Sequence, residues 1–433
     1  KILPHPYLNA SKVKIYNAKN REAPLVEIPN LVANLALGPL LKGNVEVERM
    51  TLENPQINVE VGDDGQFNWE NDFTPEQRQT IEQSQIKFNS ISLNKAQVTF
   101  NDPTRDIAFQ LDDLNGEFMA ESMFGPFHVE GNYIKDNSPE GFALSVGKLS
   151  DSFPTTFNLV ITHPNSQSYV RFDGNFMLTN QILNGNLIVE SKQLQDFVKA
   201  NFKKWQLAKE YDYPLALTLD MALDGDEMAL SNMVIKYGDT QGAGSMQIPL
   251  NDGLIKDENS IRPRINMAFN FTELNLDPIV FTINDFIKTY ADGKKAYQPN
   301  GRFDWIVDVK SLKTQYNGQP VKNFEASFDM VNDMLTINNM AAVLPGDTDV
   351  KIKGSLSAVD DEPFYNIETS FNSSDFLKTL NWLNIKPVVS VASTYRKAVG
   401  NARLAGTLNK IQISPFSLTM DKSSLSGEAG IKI

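Results

Sequence analysis

The run LALTLDMALD places Leu215, Leu217, Leu219, Met221 and Leu223 at every second position, with Ala216, Thr218, Asp220 and Ala222 between them. A period of two puts all five large apolar side chains on one face of a strand. The same alternation returns with Ile265, Met267, Phe269 and Phe271, and again with Phe303, Trp305, Val307 and Val309. Segments of this kind follow one another at spacings of about 10–15 residues along most of the chain, the rhythm of an all-β protein. A chain written this way must find cover for one apolar face on nearly every strand, and that requirement limits its architecture more than any other feature.

Helical spacing is rare by comparison. Thr74 and Pro75 open a short polar helix over 74–84, with Thr74 as N-cap and Pro75 at the first helical position. LQDFVKANFKKWQLAKE predicts a helix near 192–209, with Leu194, Phe197, Val198 and Trp205 on one side. Asp277-Pro278 starts another over 278–291, and Ser374 or Asp375 caps a third apolar helix carrying Phe376, Leu377, Leu380 and Leu383. A strand-then-helix piece therefore occurs three times, at 183–202, 265–291 and 367–383. It is joined by strands broken by single glycines, Gly244, Gly354 and Gly427. The period of roughly 80–100 residues suits a repeated supersecondary block better than a small solenoid repeat. The expected organisation is one elongated domain over 1–433. It comprises an N-terminal block at 1–73, the polar helix, repeated strand blocks over 85–365 and a strand-helix-strand block over 366–433.

Composition removes several kinds of function. With 40 Lys and Arg against 53 Asp and Glu, the net charge is −13, which argues against a nucleic-acid partner. There is no cysteine, hence no disulfide framework or thiolate metal site. No apolar run reaches the length of about 18 residues that a membrane-spanning helix needs. The chain opens on Lys1 rather than Met, from which a processed protein with an upstream anchor or targeting segment removed is expected. The three histidines, His5, His128 and His163, share no ligand spacing, so no metal site is expected. The acidic runs Asp63-Asp64, Asp112-Asp113 and Asp360-Asp361-Glu362 lie beside turn signals, where carboxylates bond the local backbone. Neither a nucleophile elbow, nor a P-loop, nor a dinucleotide fingerprint is present, and no catalytic residue or cofactor is assigned.

An apolar strand face is more often packed core than ligand surface. Here, however, three apolar helices face on the order of twenty strands, and so few helices leave most of a sheet uncovered. The apolar faces must then pack on each other or line something that the chain does not encode.

Three blocks carry a resemblance to a known family. The first is VEIPNLVANLALGPLLKGNVEVERMTLENPQINVEVGDDGQFNW, closing on Asp64, Gly65, Asn68 and Trp69. The second is ISLNKAQVTFND. The third is LKTLNWLNIKP followed by ARLAGTLNKIQISPFSLTMDKSSLSGEAGI. In their order these resemble the AsmA family, the TamB- and YhdP-like periplasmic lipid-transfer proteins of repeating β-groove type. The resemblance implies a mainly β fold, an elongated and curved antiparallel sheet of groove or taco shape with a few short amphipathic helices. It implies a periplasmic domain held at the inner membrane of a Gram-negative bacterium by an N-terminal anchor missing here. It also implies a non-enzymatic role in phospholipid transport toward the outer membrane and in outer-membrane biogenesis, with phospholipid acyl chains and envelope proteins as partners.

On this reading the groove is lined by Leu215, Leu217, Leu219, Met221, Leu223, Ile265, Met267, Phe269, Phe271, Phe303, Trp305, Val307 and Val309. The alternative is a periplasmic scaffold for outer-membrane proteins, without bound lipid, that recruits clients at its sheet edges. A polysaccharide-active enzyme using an acidic pair fits less well, because the aromatics alternate within strands rather than forming platforms.

Overall fold

The computed structural model describes residues 6–16, 23–41, 47–62, 68, 88–103, 107–122, 124–135, 138–150, 153–177, 182–201, 208–224, 227–250, 262–281, 303–359, 362–385, 396–407 and 410–432. The chain is mainly β and mostly antiparallel, as the alternation predicts. It divides into two compact units, Lys1–Ala216 and Leu217–Ile433.

The first unit contains strands β1 (Tyr7–Tyr16), β2 (Pro24–Leu35), β3 (Val47–Glu53), β4 (Gln56–Glu60), β5 (Phe88–Asp102), β6 (Ile107–Ala120), β7 (Phe127–Lys135), β8 (Ser138–Val146), β9 (Thr155–His163), β10 (Ser168–Met177) and β11 (Ile182–Ser191). β1 pairs with β2, and β2 pairs in turn with β3 and β4, which act as one strand interrupted at Asn54-Pro55. Both then pair with β5 in parallel. From β5 to β11 every neighbour is antiparallel. A parallel neighbour needs a crossover rather than a tight turn. The polar helix expected at 74–84 falls in this crossover and outside the described residues.

In sequence Pro29 reads as a break or an edge position and Asn94-Lys95 as a turn joining two strands; the structure has neither. Pro29 neither breaks nor edges its strand. β2 runs through it with neighbours on both sides, and the ladder with β1 skips Pro29 and Lys12, the latter at φ 56°. The register is the same on either side of the gap, so the missing N–H costs the ladder one pair without shifting it. Asn94-Lys95 is a bulge inside the single strand β5, with Lys95 at φ 52°, rather than a turn between two strands. It sits opposite the β3/β4 interruption, where Asn54 N–H donates to the Asn94 carbonyl and Gln97 N–H to that of Pro55.

Strand β12 (Leu215–Asp224) begins at the end of the first unit. The second holds β13 (Glu227–Tyr237), β14 (Thr240–Pro249), β15 (Arg264–Asn275), β16 (Asp304–Tyr316), β17 (Gln319–Val331), β18 (Met334–Leu344), β19 (Thr348–Val359), β20 (Glu362–Ser373), β21 (Ala398–Thr407), β22 (Lys410–Met420) and β23 (Ser423–Lys432). β13 to β15 are antiparallel, β15 and β16 are parallel, and β16 to β23 are antiparallel again. The crossover between β15 and β16 contains the helix expected at 278–291. Residues 277–281 are helical, and the rest lies outside the described residues.

Short helices also occupy Leu37–Leu41, Leu194–Asn201 and Phe376–Trp382. The second is shorter than the 192–209 expected. A 3-10 turn follows at Lys209–Tyr211, and 202–207, including Trp205, lie outside the described residues. Asp375 caps the last helix by accepting a bond from Lys378 N–H.

Candidate ligand-binding face

Register settles which side chains share a face in the second unit. Ile265 lies opposite Trp305, Met267 opposite Val307 and Phe269 opposite Val309. The same face continues through Met330, Phe328 and Ala326 on β17 and through Leu335, Ile337 and Met340 on β18. It then passes Leu356, Ile352 and Val350 on β19 and Tyr365, Ile367 and Phe371 on β20 to Ile411, Ile413, Phe416 and Leu418 on β22. No described position of this face on β13–β22 carries a charge. The opposite face does: Lys351, Lys353, Glu368 and Arg403 alternate with the apolar set and are exposed. Burial pushes the Tyr365 phenol up, consistent with its place on the apolar side.

Thus the structure brings the β15 and β16 candidates side by side. Phe303 lies in the bend ahead of β16, half-buried. On β12, Leu217, Leu219, Met221 and Leu223 alternate with exposed Thr218, Asp220 and Asp224, and Leu219 is buried. β12 lies beside β13, since the Asn232 amide donates to Asp220 at 2.8 Å. Leu215 begins β12 within the first unit.

Glycines shape the floor of the face. Gly244 lies opposite Phe269 and Gly242 opposite Phe271, and a Cβ at either would run into the facing ring. Gly400 stands in the same relation to Phe371. In the first unit Phe172 covers Gly174 and Gly185. Each ring thus sits over the glycine of the neighbouring strand, in space that a side chain there would otherwise take. In sequence Gly244 reads as a strand interruption. Its packing role could be found only by pairing each glycine with the phenylalanine one strand away.

Burial is uneven along the strands. Where β15 and β20 lead into their helices, Leu274, Thr314, Val321, Ala342, Thr348, Ser373 and Ala398 are all buried. Toward the other end Met246, Ile265, Met267, Leu356 and Ile411 are only half-buried, and Trp305 is 40% exposed. A rung of hydroxyls closes the buried end. Thr348 Oγ1 bonds Ser373 Oγ at 2.5 Å and Thr379 Oγ1 at 2.6 Å, and Thr379 also donates to the Pro345 carbonyl at 2.7 Å. Phe376 stacks on Phe371 with centroids 4.8 Å apart. Trp382 Nε1 donates to the Tyr316 carbonyl, and the Asn317 amide donates to the Trp382 carbonyl. Asn317 N–H donates in addition to Asp277 at 2.8 Å, so one turn residue holds both helical segments.

The device recurs. Thr240, which opens β14, accepts from Asn275 N–H at the end of β15. In the first unit Ser168, which opens β10, donates to Ser191 at the end of β11 at 2.7 Å. Beside that rung, Tyr133 OH donates to Glu140 Oε2 at 2.6 Å, and His163 Nδ1 lies 3.1 Å from Glu140 Oε1. Phe197 of the helix Leu194–Asn201 packs edge-on against the His163 ring. Burial works against the charged Glu140 carboxylate. His163 close beside it and the bond from Tyr133, with Lys135 nearby, outweigh it and hold the carboxyl below the usual range.

Other polar groups are occupied locally. Asp112 accepts from Gln97 and Gln110, bonds that hold its carboxyl low. His128 Nδ1 bonds Ser145 Oγ at 2.8 Å. Asp63, Asp64, Asp360 and Asp361 lie outside the described residues. Among the described residues no three His, Asp or Glu side chains converge as metal ligands, and no helix is long and apolar enough to cross a membrane.

The sequence profile of the AsmA family covers residues 1–373. The block from Leu377 onward that contributed to the resemblance lies beyond it. No curated protein and no solved structure matches the chain.

Proposed function

Since the chain belongs to the AsmA family, we propose that it is a non-enzymatic carrier of phospholipid acyl chains between the inner and outer membranes. The family is linked to envelope lipid transport and outer-membrane biogenesis. The observation that carries the reading is the charge-free apolar face of the second unit, half-buried over much of its area. Packed core would be buried throughout, and a free apolar surface this broad is unusual unless something covers it. Acyl chains are suitable cover, because each methylene moved from water contributes about 0.8 kcal/mol. A periplasmic location and attachment to the inner membrane follow from the same family reading.

The test is lipid extraction and mass spectrometry on protein purified without detergent. Near-stoichiometric phospholipid is expected. It should be lost in Phe269→Asp, which puts a charge on the face, and kept in Asn270→Asp, whose side chain points the other way. A folded Phe269→Asp protein that retains its lipid would sink the assignment.

One observation favours a second reading, a scaffold that receives client strands. Among the described residues β1 pairs only with β2, and Tyr7, Leu8, Ile15 and Tyr16 on it are exposed. Strand addition at that edge predicts lipid-free, monodisperse protein that binds unfolded outer-membrane clients.

A further inference from the structure

We propose that acyl chains lie along the strands of the second unit, tail first toward the helix-capped end, so that the sheet measures their length. This rests on the lipid reading above and adds an orientation and a stop to it.

The face has two unlike ends. At one, Thr348, Ser373 and Thr379 are 2–3% exposed, and Thr348 bonds both Ser373 and Thr379, the latter on the helix Phe376–Trp382. The Phe371 ring lies between that rung and the open face, stacked on Phe376 and laid over Gly400. A hydrocarbon tail that reaches Phe371 meets buried, already paired hydroxyls and can gain nothing by going further. At the other end the side chains are half-buried. Arg262 and Asp333 stand there as a two-point ion pair at 2.6 and 2.7 Å, still 20% and 25% exposed, and Trp305 is exposed beside them in register with Ile265. A wet, polar and aromatic margin suits a headgroup.

The distance between the two ends fits the cargo. From Leu356 to Val350 is six residues of strand, about 20 Å at ~3.3 Å per residue. One leaflet's melted chains fill about 15 Å, half of the ~30 Å hydrocarbon core, and an extended chain of the same kind is longer. The apolar lane therefore holds one such chain at nearly full extension, and a longer one must leave methylenes in water at the open end.

Thr369 lies one inward-facing step before Phe371 on β20, between Ile352 and Ala402. Thr369→Phe raises a ridge there and shortens the lane by two residues, about 7 Å. Phe371→Ala moves the stop back to the hydroxyl rung, one inward-facing step further along. Ser370→Phe alters the other face and is the control. The full chain is incubated with vesicles containing equal parts of phosphatidylglycerol of three acyl lengths, and captured lipid is separated and weighed by mass spectrometry.

The wild-type chain should favour one length over the supplied mixture. Thr369→Phe should shift capture to shorter chains, by about fourfold for each methylene that loses its contact. Phe371→Ala should shift it to longer ones, and Ser370→Phe should leave it unchanged. Should Phe371→Ala fail to fold, Thr369→Phe still decides. Captured lengths that mirror the mixture in both the wild type and Thr369→Phe overturn the ruler and leave lipid carriage standing. A wild-type chain that captures no lipid overturns lipid carriage itself, and if it also runs as a dimer a second copy covers the face.

Discussion

Replacing Glu140 with alanine probes the polar seat on which the helix Leu194–Asn201 rests. The Glu140 carboxylate is 1% exposed and accepts the Tyr133 hydroxyl at 2.6 Å, with His163 at 3.1 Å. Its removal leaves a phenol and an imidazole facing a void. Breaking a buried pair from one side costs about 3–5 kcal/mol, or two to three and a half orders of magnitude in an opening equilibrium at ~1.4 kcal/mol per decade. Hydrogen exchange is the suitable assay, because a chain of two units need not unfold in one step. Amides of β7, β8 and β9 should exchange at least about a hundredfold faster in Glu140→Ala at equal pH. Those of β16–β20, in the other unit, should not change.

Glu140→Gln separates charge from shape, since its amide oxygen still accepts from Tyr133. The carboxyl sits below its ordinary value, so its charge stabilises the fold fully above the unfolded value of about 4.3. This contribution fades as pH falls through the folded value. Wild type and Glu140→Gln should therefore differ at pH 7 and converge in acid. Burial and Glu140 push the Tyr133 phenol up, so its contribution is complete below the unfolded value of about 10 and is lost as pH rises beyond it. A Glu140→Ala protein whose β7–β9 protection changes by less than about fivefold would refute the buried-pair argument, because such a change is under ~1 kcal/mol.

Two further outcomes follow from the second unit. Gly244→Val drives a side chain into the Phe269 ring; overpacking of this kind costs about 1–3 kcal/mol, and both the thermal midpoint and captured lipid should fall. Asn317→Gly keeps the left-handed backbone (φ 47°) and the bond to Asp277 but deletes the one to the Trp382 carbonyl. The loss is about 0.5–1.5 kcal/mol, visible as faster limited proteolysis within 376–385 with little change in overall melting.

What could be read from the sequence was whatever repeats within one strand. Ile265, Met267, Phe269 and Phe271 declare their shared face by alternation alone, and the structure keeps them half-buried with Asn266, Ala268 and Asn270 exposed. The strand-to-helix step after β20 was equally plain, because the cap Asp375 and the apolar spacing of Phe376, Leu377 and Leu380 are local signals. What could not be read was whatever depends on a partner strand. Gly244 looks like an interruption until Phe269 is placed over it. Lys95 looks like a turn until β3 and β4 are laid beside β5.

The helix seats are the hardest case. Ser191 and Ser373 are unremarkable polar residues at strand ends, and the bonds that bury them come from Ser168 and Thr348, 23 and 25 residues away. The same distance hides the asymmetry of the face. Alternation gives every inward position on β19 and β20 equal weight, yet Thr348 and Ser373 at one end are bonded and buried while Leu356 and Tyr365 at the other remain half-exposed. A surface with a dry, hydrogen-bonded end and a wet end can orient an amphipathic ligand, whereas a uniformly apolar one can only hold it. The hydroxyls that least resemble a binding site in the sequence are therefore the residues that give this face its direction.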